Sequence, residues 1–97
     1  MQNEVNLNNI NEMDINNYEY KYIDIQEIKK ISDKTLLQRV EKTYDFLKLC
    51  EAYHHNVKDD YSKKKIASLR VDIVKYQLEL LIRECFVRGL KHGLKMI

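Results

Sequence analysis

Two cysteines and three histidines are the side chains here best suited to hold a metal or to attack a carbon centre. Cys50 and His54 are spaced i, i+4, which puts a thiol and an imidazole on one face of a helix, as two metal ligands require. A closed zinc site needs four converging ligands, so Cys85 and His92 would have to join them. In a helical hairpin those two cysteines lie roughly 25–30 Å apart along the axis, because each residue advances a helix by about 1.5 Å. That offset argues against a shared metal and against an intrachain disulfide, and no metal or other cofactor is expected. A cysteine beside a histidine also has the form of a nucleophile and its base. The sequence supplies neither an orienting third group nor an oxyanion hole, so it reads as non-enzymatic with no catalytic residues. The plainer reading is a buried thiol, with His54 and His55 placed where a helix dipole favours partial positive charge.

The elements that would carry these groups are helices. From Ile66, apolar residues recur in alternating steps of three and four through Leu69, Ile73, Tyr76, Leu80, Val87, Leu90, Leu94 and Ile97, with Arg83 the one exception. This heptad seam predicts one long helix over about residues 61–97. A second stripe, Val71, Val74, Leu78, Leu81 and Cys85, runs along another side of it. A helix apolar on two sides must be covered on two sides. Upstream, Ser32 or Asp33 caps a helix with apolar positions Leu36, Leu37, Val40, Tyr44, Leu47, Cys50 and Val57, widened by Phe46, Leu49 and Tyr53. The polar run 56–60 is the turn, with Asp59 or Asp60 capping the last helix.

Folding the two helices antiparallel about that turn brings the heptad seam onto the first helix. Leu69 then faces Leu47, Tyr76 faces Val40, Leu80 faces Leu36 and Arg83 faces Asp33. The stripe Val71, Val74, Leu78 and Leu81 is left facing outward, and the same stripe of a second chain is its most economical cover. The expected fold is therefore all-α: a long antiparallel helical hairpin with a short N-terminal helix, dimerising into a four-helix bundle. Arg83 in the seam is a candidate for setting register or partner.

The remaining segments are less regular. Residues 1–17 hold seven asparagines and read as a flexible tail, leaving 18–97 as a single helical domain. Tyr18, Tyr20 and Tyr22 alternate with charged residues in an extended pattern, and so either pair with a symmetry mate or lie against the helices. Asp24 and Glu27 have capping-box spacing and start a short helix through Ile25, Ile28 and Ile31. The segment 18–31 is the natural cover for the far end of the last helix, around Phe86 and Val87. Gly89 and Gly93 suggest either close approach of another backbone or a helix C-cap.

Composition narrows the function classes. The chain has 97 residues, no proline and two glycines, and a third of it is charged. Its net charge is +2, unevenly spread: residues 1–60 carry eight Lys/Arg against twelve Asp/Glu, and residues 61–97 carry nine against three. No apolar run is long enough to span a membrane, and the start has no signal-peptide form. Two cysteines without an export signal read as reduced, cytoplasmic thiols. Lys63, Lys64 and Lys65, with the basic residues after them, raise nucleic acid as an alternative partner, although they fall on several helix faces rather than one stripe.

The expectation is a small regulatory or protein–protein interaction protein, working as a homodimer or with another protein. Its binding surfaces are Tyr18, Tyr20 and Tyr22 together with Val71, Val74, Leu78, Leu81 and Arg83. The final run, Phe86-Val87-Arg88-Gly89-Leu90-Lys91-His92-Gly93, resembles the aromatic-x-x-Gly-x-x-x-Gly ending of small uncharacterised helical-hairpin proteins of Firmicute genomes and mobile elements. That resemblance implies a helical hairpin and a cytosolic, phage-related accessory role, with no activity and no site residues carried over.

Overall fold

A computed structural model describes residues 10–57 and 60–94. The chain is all-helical: α1 spans Glu12–Asn17, α2 Ile25–Lys30, α3 Asp33–Asn56 and α4 Tyr61–Arg88. The expected hairpin is present, with α3 and α4 packed antiparallel along their length. A helix of 28 residues is about 42 Å long, so α4 sets the 43 Å longest dimension.

Local chemistry explains each helix start. Ser32 accepts a hydrogen bond from the Thr35 amide at the head of α3, Asp60 from Lys63 at the head of α4, and Asp24 from Glu27 at the head of α2. Each satisfies an amide that the first helical turn leaves unpaired. Helix α4 ends at Arg88 rather than continuing, as expected, through Leu94. Gly89 takes a left-handed φ of 72°, its amide bonds the Phe86 carbonyl, and the Leu90 amide bonds the Cys85 carbonyl at 2.8 Å. That is a Schellman stop, which needs a residue without a Cβ penalty. Among the described residues nothing lies within 4 Å of where a Gly89 or Gly93 side chain would begin, so neither glycine serves close approach of another described backbone segment. Lys95, Met96 and Ile97, the end of the expected seam, lie outside the described residues.

The core reverses the expected facing of α4. Val71, Val74, Leu78, Leu81 and Cys85, with Ala67, are 0–8% exposed. They form one cluster with Leu36, Val40, Leu47 and Cys50 of α3. The stripe expected to point outward is thus the one that closes the hairpin. The heptad seam points away: Ile66, Leu69, Ile73 and Tyr76 are each more than half exposed. Both stripes are apolar, and the interruption by Arg83 was the signal in the sequence that separated them. A charged residue is rarely buried unpaired, and the stripe without one took the core.

The N-terminal segment also departs from expectation. Residues 10–17 are not a tail. Asn11 and Asp14 form a reciprocal capping box at the start of α1, and Ile10 and Ile15 are each 4% exposed in the core. Residues 1–9 lie outside the described residues. Past α1, Glu19 takes a left-handed φ of 56° and turns the chain into an extended strap over residues 20–24 that leads to α2.

Candidate interaction surface

The strap is held by side chains from both long helices. On α3, Phe46 receives two tyrosine rings: Tyr20 stacks on it at 4.7 Å and 5°, Tyr18 at 5.1 Å and 30°. Both hydroxyls bond to α3. Tyr20 shares a 2.5 Å hydrogen bond with the buried Thr43 hydroxyl, and Tyr18 donates to the Lys42 carbonyl. Arg39 lies over the Tyr20 ring at 5.1 Å and donates to the Lys21 carbonyl. On α4, Gln77, which is 4% exposed, holds the Ile23 backbone through two hydrogen bonds. Burial pushes the Tyr18, Tyr20 and Tyr22 hydroxyls above their usual range.

Arg88 locks the far end. Its Nε donates to Glu84. One terminal nitrogen donates to the Ile31 carbonyl and to Asp33, and the other to the Ile28 and Lys29 carbonyls. A guanidinium has five N–H groups, so every one of them is used. Three of the acceptors are the carbonyls at and just past the end of α2, where a helix is short of donors and a cation suits the dipole. Asp33 therefore pairs with Arg88, not with Arg83 as expected. This is one contact between the acidic and basic halves that the charge distribution anticipated.

These ties fix where each expected binding residue sits. Val71, Val74, Leu78 and Leu81 are interior. Tyr18 and Tyr20 are half-buried with their hydroxyls bonded to the Lys42 carbonyl and the Thr43 hydroxyl of α3. Tyr22 is half exposed and touches the Tyr20 ring edge-on at 5.0 Å. Arg83 is exposed on the heptad seam. Sequence reasoning missed the surface itself. The seam of α4 runs past Ile66, Leu69, Ile73, Tyr76, Leu80 and Val87, and it is bordered by Tyr22 of the strap and Ile25 at the head of α2. Between strap and helix lies an open groove of about 590 Å³, floored by Ile73, Tyr76 and Leu80.

The other chemical candidates are not assembled. Cys50 and Cys85 are buried free thiols. Burial pushes Cys50 up to about 11, and it raises Cys85 as well. A thiol held protonated is a poor nucleophile and a poor ligand. Among the described residues no three or more His, Cys, Asp or Glu side chains gather where they could hold a metal. Nor, among those residues, is any helix long and apolar enough to cross a membrane. Comparison with protein-family models, curated proteins and solved structures gave no match for the chain.

Proposed function

We propose that this protein is a small, non-enzymatic interaction or regulatory protein that acts by docking the exposed face of α4 and its strap onto another protein surface. The observation that carries this reading is the row Ile66, Leu69, Ile73 and Tyr76, each 54–58% exposed and continuous with Tyr22 and Ile25 at 50% and 46%. Single exposed apolar residues are ordinary, whereas a contiguous apolar patch on a small domain marks an interaction site. An aromatic beside aliphatic side chains is also the composition found at the centre of protein interfaces. The buried thiols, free in a fold that does not need them bridged, support a reducing, cytoplasmic setting.

The nucleic-acid alternative is weakened by what the basic residues of α4 do. Arg88 is spent on internal bonds, and the exposed lysines flank the apolar face without forming one stripe. The two readings respond differently to salt: phosphate contacts weaken steeply as salt rises, and apolar docking does not. The test is affinity capture from the native host with the wild-type chain and with Tyr76→Asp, whose fold is verified by circular dichroism. Partners retained in high salt by the wild type and lost with Tyr76→Asp are the expected result. Capture indifferent to Tyr76→Asp, or a nucleic-acid gel shift abolished by salt, would overturn the reading.

A further inference from the structure

The exposed heptad seam also indicates what covers it. We infer that the occupant of this face is the same face of a second copy of the chain, with the two α4 helices antiparallel. This inference rests on the docking reading above and names the partner.

Three observations carry it. The first is period. Ile66, Leu69, Ile73, Tyr76 and Leu80 alternate steps of three and four, and the row runs on through Arg83 to Val87, the pattern that two helices satisfy when they pack along a shared seam. The buried stripe Ala67, Val71, Val74, Leu78, Leu81 and Cys85 keeps the same period and already packs on α3, so the exposed seam is a second row of this kind with no helix of its own chain along it.

The second is what flanks the seam. On one side stand Arg70, Gln77 and Glu84. There Gln77 holds the strap, and Arg88, one turn past Glu84, holds α2, so this flank is lined by Tyr22 and Ile25. On the other side stand Lys65, Asp72 and Glu79, all exposed and charged, followed by the exposed Phe86. Parallel helices would set one copy's apolar flank against the other's charged flank. Antiparallel helices join like flank to like: strap meets strap, and the charged flanks stay together at the solvent edge. Centred between Ile73 and Tyr76, this arrangement leaves Arg83 near the two ends of the seam, where its head reaches water.

The third is area. From Ile66 to Val87 the seam is about 32 Å long, and one helix about 10 Å wide presents roughly 320 Å². The strap and α2 border the seam from Ile73 to Val87, about 21 Å, and add roughly 210 Å², for roughly 530 Å² per copy and about 1,060 Å² in total, at the ~1,000 Å² that a specific interface needs. Helix α4 alone falls short, which gives the strap a role in assembly.

The experiment is light scattering on the full chain from 10 to 200 μM, with Ile73→Asp, Leu69→Asp and, as a control on α1, Met13→Asp. The expected wild-type mass is twice the 11.7 kDa of one chain. Both seam variants should run as folded monomers, and the control should remain a dimer. Orientation is read by a spin label on Lys65→Cys with Cys50 and Cys85 replaced by alanine. Antiparallel packing puts the two labels about 30 Å apart, whereas parallel packing puts them at about the interaxial distance, ~10 Å. A wild type that is monomeric at 200 μM overturns the second copy as occupant and leaves the docking reading to its own capture experiment. A dimer that survives both seam substitutions, or labels at the short distance, overturns the proposed interface.

Discussion

The Gln77 side chain behaves as a single strand partner for Ile23. Its carboxamide oxygen accepts from the Ile23 amide at 2.8 Å and its nitrogen donates to the Ile23 carbonyl at 3.0 Å. An extended segment has no partner of its own for these groups. One buried glutamine on α4 supplies both donor and acceptor, and so fixes the height at which the strap crosses the hairpin.

Replacing Gln77 by leucine keeps the bulk and removes both bonds. The Ile23 amide and carbonyl then lose their partners, at a cost of about 1–3 kcal/mol. Urea unfolding should report a lower midpoint. Hydrogen exchange should show the Ile23 amide deprotected while Leu78 and Leu81 keep their protection. Full protection at Ile23 in the variant would mean that the tyrosine–Phe46 stacking alone holds the strap.

Arg88 should prove irreplaceable by lysine. A lysine carries charge but offers three rotatable donors in place of the planar fork that reaches Glu84, Asp33 and three carbonyls together. Arg88→Lys and Arg88→Met should both lower the melting temperature and deprotect the amides of α2. Asp33→Asn should matter little, because its side chain is 64% exposed and an exposed ion pair contributes little. A lysine variant as stable as the wild type would show that charge, not the fork, holds α2.

Stability should fall in alkali with a defined sign. The folded Cys50 thiol is raised from 9.0 to about 11 by burial, and Tyr18, Tyr20 and Tyr22 are raised above 10.0 for the same reason. Above pH 9 the unfolded chain loses protons that the folded chain keeps, so unfolding is favoured as pH rises. The stabilisation is complete below pH 9 and is lost through about pH 11. Urea midpoints measured from pH 7 to 11 should be flat and then fall. In the native protein at pH 8, Cys50 should react with a thiol reagent only slowly, and denaturant should release it. Rapid native labelling of Cys50 would contradict the burial.

Much of the architecture was legible before the coordinates. Ser32, Asp24 and Asp60 are capping residues, and their signal is local: a short polar side chain next to an apolar period is enough to place a helix start. The break between α3 and α4 and the apolar face of α3 follow from the same short-range pattern, while residues 58 and 59, at the centre of the expected turn, lie outside the described residues. Helix α1 was not legible, because its six residues include two asparagines and its stability comes from Ile10 and Ile15 docking elsewhere.

What the sequence by itself determined is therefore the number and hand-over of the long helices, their caps, and the fact that α4 is apolar on two sides. Only the tertiary structure decided which side closes the hairpin and which is left bare. Periodicity shows that a stripe is apolar but not what lies opposite. That depends on α3, the strap and α2 arriving together, with Gln77 and Arg88 fixing their places. The same is true of Asp33: Arg83 and Arg88 are both long cations on α4, and only the packing of α2 and the start of α3 against α4 gives the second four of its five acceptors.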